Sequence, residues 1–172
     1  MKKKDILSLV KSIFVALLIV ILCRQFFFVP VTVKGESMKP TFEDQNRVII
    51  SKMSKIEAFN LIVFQSPISS DKHIKRVIGL PGDQIEIIED TLYINGYPYP
   101  EPYLDENKED RLFNEPLTGN LEFEVPDNSF FVLGDNRLKS MDSRIYGVIK
   151  NEDIIGEVKL RIYPFQSFGM PK

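Results

Sequence analysis

The chain has 172 residues, 44% hydrophobic and 27% charged, which suits one packed domain plus one membrane element and excludes disorder, collagen-like repetition and a two-domain cofactor enzyme. The net charge of −2 is uneven: residues 1–34 hold six Lys/Arg and one acid, leaving 16 basic against 23 acidic residues, a net of −7, with no electrostatic footprint for nucleic acid. One cysteine, Cys23, and one histidine, His73, exclude an intrachain disulfide, a cysteine-based metal site and a multi-histidine cluster.

Lys2, Lys3 and Lys4 open the chain, and Ile13 to Cys23 is an uninterrupted apolar run flanked by Lys11 and Arg24 and followed by Gln25, Phe26, Phe27, Phe28 and Val29. As a helix the strict run spans about 16 Å, short of a bilayer's roughly 30 Å hydrocarbon core, whereas Ile6 to Val29 spans about 36 Å, with Lys11 and Arg24 snorkelling to opposite interfaces. A cleaved signal peptide and a buried core helix are the other readings of such a run. No pair of small residues follows it where a cleavage site belongs, so residues 6–29 are expected to be an uncleaved transmembrane signal-anchor. The lysines before it place residues 1–5 in the cytoplasm and residues 30–172 outside the cell membrane, in single-pass topology.

Pro30 ends any helix, and β patterns follow: Val31 to Val33, Val48 to Ile50, Leu61 to Phe64, Ile74 to Ile78, Ile85 to Ile88, Leu92 to Ile94, Phe130 to Leu133 and Val158 to Ile162. Turn chemistry separates them at Pro81-Gly82-Asp83, Asn95-Gly96 and Gly134-Asp135-Asn136. The fold class expected is mainly β behind one N-terminal helix. Residues 97–126, rich in proline and, from Asp105 to Arg111, in charge, read as a solvated insertion or small lobe in which only Leu121, Phe123 and Val125 resemble a strand.

Three segments concentrate chemistry-bearing side chains. Ser37 lies in Gly35-Glu36-Ser37-Met38-Lys39-Pro40-Thr41; a serine in such a turn is commonly a plain turn residue, and as a nucleophile it needs a base from elsewhere in the chain. His73 and Lys75 share one face of a β run, and either is a candidate base or an ordinary solvated residue. A lysine at its reference pKa of about 10.4 is protonated near neutral pH, and burial among apolar neighbours is what would free its lone pair. Gly134 to Gly147 is dense in polar groups, and Asp142 and Arg144, two apart, are placed to pair on one face of an extended segment.

These three segments, in this order behind an apolar anchor, resemble the bacterial type I signal peptidases of the serine/lysine kind, closest to the short, single-anchor Gram-positive form. The motifs that carry the likeness are Gly-x-Ser-Met-x-Pro-Thr at 35–41, Lys-Arg-Val-Ile-Gly-Leu-Pro-Gly-Asp at 75–83 and Gly-Asp-Asn-Arg-x-x-Ser-x-Asp-Ser-Arg-x-x-Gly at 134–147. The resemblance implies a signal-peptidase/LexA-like β domain, with Ser37 as nucleophile and Lys75 as general base. It makes Ser140 the serine that hydrogen-bonds the lysine, and Asp142 with Arg144 the supporting pair. The Ser37 N–H becomes one oxyanion donor, while the position that supplies a second in some relatives is Gly35 here. His73 matches no catalytic position.

The implied activity is a membrane-bound serine endopeptidase that removes signal peptides from exported preproteins through an acyl-enzyme, cutting after small residues at −3 and −1. Its partners are preproteins and the lipid bilayer; no cofactor, metal or nucleic acid is implied. Val31, Val33, Met38, Val63 and Ile74 are candidate lining residues of the shallow apolar substrate pockets, and equally plain core positions. Two competing readings are a self-cleaving LexA-type regulator, which calls for an N-terminal DNA-binding region, and a catalytically silent binding protein of the same fold.

Overall fold

The computed structural model describes residues 3–26, 28–109 and 116–171. Expectations that rest on Lys2, Phe27, Asp110 and Arg111, and on the side chains of Lys3, Lys4, Cys23, Arg24, Gln25 and Phe26, lie outside the described residues. Helix α1 runs Lys3–Phe26 and ends there because Phe28 and Val29 already pair with Ser51 and Ile50 as the start of a strand; the helix is therefore shorter at its C-terminal end than the expected anchor of 6–29. Ile6, Leu9, Val10 and the large apolar side chains from Ile13 to Ile21 are exposed around the helix rather than gathered on one face. Among the described residues no helix is long and apolar enough to cross a membrane.

Eleven strands among the described residues build two antiparallel sheets. The larger has the order β1-β2-β11-β3-β4-β9-β10, from β1 (Phe28–Thr32), β2 (Arg47–Ser51), β3 (Leu61–Gln65), β4 (Lys72–Gly79), β9 (Ser129–Leu133), β10 (Ile149–Lys150) and β11 (Ile154–Tyr163). The smaller has the order β7-β6-β5-β8, from β5 (Gln84–Ile88), β6 (Thr91–Ile94), β7 (Tyr97–Tyr99) and β8 (Leu121–Glu124). Segment 97–126 is thus more structured than expected: β7 and β8 flank the β5–β6 hairpin. Asn95 and Gly96, both with positive φ, make the tight turn that returns β6 onto β7. Pro30 and Pro98 sit inside strands, but in edge strands, where a missing N–H costs no ladder bond.

Three apolar clusters hold these layers together. Val33, Met38, Phe42, Val48, Ile50, Leu61, Val63, Ile74 and Val158 pack the loop that carries Ser37 onto the large sheet. Ile78, Phe131 and Leu133 meet Ile85, Ile87, Leu92, Ile94 and Val125 where the two sheets join. Ile62, Phe64, Val77, Phe130, Val132 and Ile149 form the third, with Tyr146 packed against it. Lys75 and Arg76, adjacent on β4 and pointing opposite ways by the strand period, serve two different polar sites.

Candidate active site

Ser37 sits in the turn after β1, with Met38 and Phe42 buried beneath it. Lys75 comes from the centre of β4, where Ile62 lies directly opposite on β3. The two meet: Lys75 Nζ donates to Ser37 Oγ at 2.6 Å. Lys75 is only 3% exposed. Burial therefore lowers its pKa to about 8, against the pull of the Asp142 and Asp135 carboxylates, which favour the charged form. Roughly a tenth of the amine is then neutral at pH 7 and about half at pH 8, and the neutral form is what a proton acceptor for a serine hydroxyl requires.

Ser140 and Asp142 lie in the segment after β9. The Ser140 hydroxyl is packed against Gly134, so closely that a Cβ on Gly134 would stand 2.2 Å from it and 2.5 Å from the Ser37 carbonyl oxygen. It has no hydrogen-bond partner; the bond to Lys75 that the resemblance implies is not formed. Asp142 is fully buried and accepts from Arg144 Nε at 2.8 Å, Arg144 Nη2 at 2.8 Å and the Gly134 N–H at 3.0 Å. The pair does not form on an extended segment, because Asp142 is the N-cap of the short helix α2 (Ser143–Tyr146) and takes the Arg144 N–H as well. Arg144 Nη2 also donates to the Arg137 carbonyl at 2.6 Å, fixing the chain on both sides of Ser140.

His73 faces Phe64 and Tyr146, its Nδ1 is buried without a partner, and burial and the Lys75 charge both lower its pKa. Val31, Val33, Met38, Val63 and Ile74 all fall in one cluster, with Val33, Met38 and Val63 almost fully covered and Val31 partly so. Among the described residues no three of His, Cys, Asp and Glu converge as they would on a metal.

A second polar centre lies beside the first. Arg76 donates from Nε to Asp135 Oδ1 at 2.9 Å and from Nη2 to Asp135 Oδ2 at 2.7 Å, both residues being buried. Thr41 Oγ1 donates to the same carboxylate, and Asn136 holds the Ser37 turn by its N–H on Ser37 O (3.0 Å) and its Nδ2 on Glu36 O (3.1 Å). The Ser37 N–H donates to no protein group among the described residues, whereas the Gly35 N–H is engaged by Asp44 at 2.8 Å. The sequence marked Asp135 and Asn136 only as part of a dense polar cluster, and gave Thr41 and Arg76 only as motif letters.

The family model for signal peptidase, peptidase S26, matches residues 6–163, from α1 to the end of β11 and through all three motifs. The chain belongs to this family. It is 39% identical to signal peptidase IB of Staphylococcus aureus (strain COL), over 96% of this chain and 94% of that one, and 43% identical to signal peptidase I of Bacillus caldolyticus, over 91% of each. A crystal structure of a signal peptidase I from Enterococcus faecalis V583 superposes with a TM-score of 0.59 at 39% identity, covering 60% of this chain and 97% of that one. As a signal peptidase of this family the chain is a serine peptidase, a hydrolase, with the mainly β fold of its relatives.

Proposed function

We propose that this family member is an anchored endopeptidase that removes N-terminal signal peptides from exported preproteins by a Ser37–Lys75 dyad. The observation that carries the reading is the 2.6 Å contact between Lys75 Nζ and Ser37 Oγ at a lysine whose pKa burial brings to about 8. Neutral Lys75 takes the Ser37 proton as Oγ attacks the scissile carbonyl, and the Ser37 N–H donates to the developing oxyanion. Collapse expels the new amine, to which Lys75 returns the proton, leaving an acyl ester on Ser37. Water, deprotonated by the same amine, then releases the signal peptide and regenerates the hydroxyl. Ser140, a buried hydroxyl with no partner of its own, is available to accept from Lys75 while it carries the extra proton. Asp142 and Arg144 hold the backbone around Ser140 and Gly134.

Residual exposure at Val31 and Ile74 makes them the wall that substrate side chains touch, with Val33, Met38 and Val63 packed behind it as an unyielding floor that admits only small residues at −3 and −1. An anchor through α1 accounts for a helix that leaves Leu9, Ile13, Phe14, Leu17, Val20 and Ile21 uncovered by protein; lipid is the medium in which such a surface is stable. Phe28 and Met53, exposed where the large sheet leaves the helix, suit an interfacial position.

Two measurements test this. Purified full chain offered a preprotein should release the mature protein, and mass analysis of the acylated enzyme should place the adduct on Ser37; no turnover, or an adduct elsewhere, would remove the dyad. External protease on intact protoplasts should digest residues 35–172 and leave an N-terminal stub; full protection of the β domain would reverse the orientation.

A further inference from the structure

The turn that carries Ser37, residues 35–41, has no regular ladder to define it, so its position relative to Lys75 is set by the packing of Met38 and Phe42 on the large sheet together with individual polar bonds. Most come from the large sheet and its connections: Asn136 to Glu36 O and Ser37 O, Thr41 to Asp135, and Arg161 Nη1 to Thr41 O at 2.8 Å. One comes from the connection between β7 and β8. Asn107 Nδ2 donates to Lys39 O at 3.0 Å and to Asp135 O at 2.8 Å, joining the turn that carries Ser37 to the turn that follows β9.

Two neighbours of Asn107 in sequence grip the same turn from behind. The Tyr103 ring lies under the Arg76 guanidinium, 3.9 Å from its centre, and Arg76 holds Asp135. The Tyr103 hydroxyl donates to Glu101 Oε1 at 2.6 Å; Glu101 is paired with buried Arg137 at 2.5 Å, and Arg137 Nε donates to Gly134 O at 3.2 Å. Glu101, Tyr103 and Asn107 thus reach Gly134 and Asp135 by three routes, and through Asn107 reach Lys39, two residues past Ser37.

We infer that Asn107 is a positioning residue of the reaction: its amide sets the nucleophile turn against the Gly134–Asp135 turn, and so sets Ser37 Oγ at working distance from Lys75 Nζ. This rests on the Ser37–Lys75 reading. Asn107 touches neither reacting group, and its two bonds go to backbone carbonyls. Its loss shifts the turn without removing any group that binds substrate or carries protons. A misplacement of about 1 Å at a reacting pair costs on the order of 100-fold in rate.

The test is steady-state kinetics of the full chain on one preprotein, per active site, with thermal melting in parallel. Asn107→Ala should lower kcat about 10-fold and Asn107→Asp, which turns a carboxylate onto two carbonyl oxygens, about 100-fold. KM should stay within about twofold and the melting midpoint within a few degrees, with the lysine-controlled pH midpoint of Asn107→Ala unmoved. If Asn107→Asp fails to fold, Asn107→Ala alone carries the decision. Wild-type kcat in the folded variants, a raised KM at unchanged kcat, or a rate loss that only tracks the folded fraction would each overturn the inference. Ser37→Ala is run beside them: its turnover would remove the dyad reading and this inference together, whereas an inactive Ser37→Ala next to fully active Asn107 variants would remove only the positioning role.

Discussion

His73 and Lys75, two residues apart on β4, end in opposite chemical situations: Lys75 Nζ is bonded to Ser37 Oγ, while His73 Nδ1 has no partner and its ring lies against Phe64 and Tyr146. Lys75→Ala should therefore abolish cleavage and His73→Ala retain most of it. Lys75→Arg should also be inactive, since a guanidinium keeps its proton. Peptide release from one preprotein decides this; loss of activity in His73→Ala with retention in Lys75→Ala would transfer the base to the histidine.

The lowered lysine pKa gives activity and stability linked pH dependences. The rate should climb as pH rises through about 8, where the amine becomes neutral. Because the folded value lies below the unfolded one, the unfolded chain binds a proton that the native state refuses between about 8 and 10.5, so the lysine's contribution to stability rises with pH across that window. Below it, burying the ammonium costs on the order of 3 kcal/mol. Lys75→Met should be inactive yet melt at or above the wild-type temperature at pH 7, the difference closing toward pH 10.5. A destabilised Lys75→Met at pH 7 would contradict the burial argument.

The two serines should fail differently. Ser37→Ala should remove turnover and leave the melting curve unchanged. Ser140→Ala deletes a hydroxyl that has no bond in the resting site, and should lower kcat roughly 10- to 1,000-fold by letting the protonated lysine go unsupported. Equal rates for Ser140→Ala and wild type would make Ser140 a packing residue.

Gly134 is required for space. An alanine there would put its Cβ 2.2 Å from Ser140 Oγ and 2.5 Å from the Ser37 carbonyl, and the second contact is backbone that cannot rotate away. Gly134→Ala should cost about 1–3 kcal/mol in stability and at least 10-fold in kcat; a wild-type rate would show that the turn yields freely.

Asp135→Ala should be costlier in stability than any of these, about 3–5 kcal/mol, since it removes the carboxylate that neutralises Arg76 inside the protein. Chemical denaturation reads it directly.

Most strands were legible in the sequence because Val48-Ile49-Ile50, Leu61 to Phe64 and Phe130 to Leu133 are dense apolar runs bounded by turn residues. Residue chemistry offers Ser37 as a candidate nucleophile, His73 and Lys75 equally as bases, and Asp142 with Arg144 as a pair, whereas Ser140 and the choice of Lys75 over His73 rest on the motifs alone. That Ser37 and Lys75 touch follows from packing of the 35–41 turn on the large sheet, which no local pattern records. Asn107 was hidden altogether: it lies in a charge-rich stretch, and both its partners, 68 and 28 residues away in sequence, are backbone carbonyls with no residue-type signature. Helix α2 is hidden behind the two-residue spacing of Asp142 and Arg144, which suits an extended pair equally well, because the one Asp142 side chain both caps the helix and pairs with Arg144.

Strand β11 lies between β2 and β3, so the first strands of the sheet are joined through the last one. Without residues 154–163, β2 and β3 would have no ladder to join them. The polypeptide closing that gap also brings Arg161, which holds the carbonyl of Thr41 at the end of the Ser37 turn. A chain stopped short of Ile154 would hold Ser37, Lys75 and Ser140 but lack both the ladders of β11 and the Arg161 bond to Thr41. The last strand is therefore as much a part of the site's framework as the strands that carry its side chains.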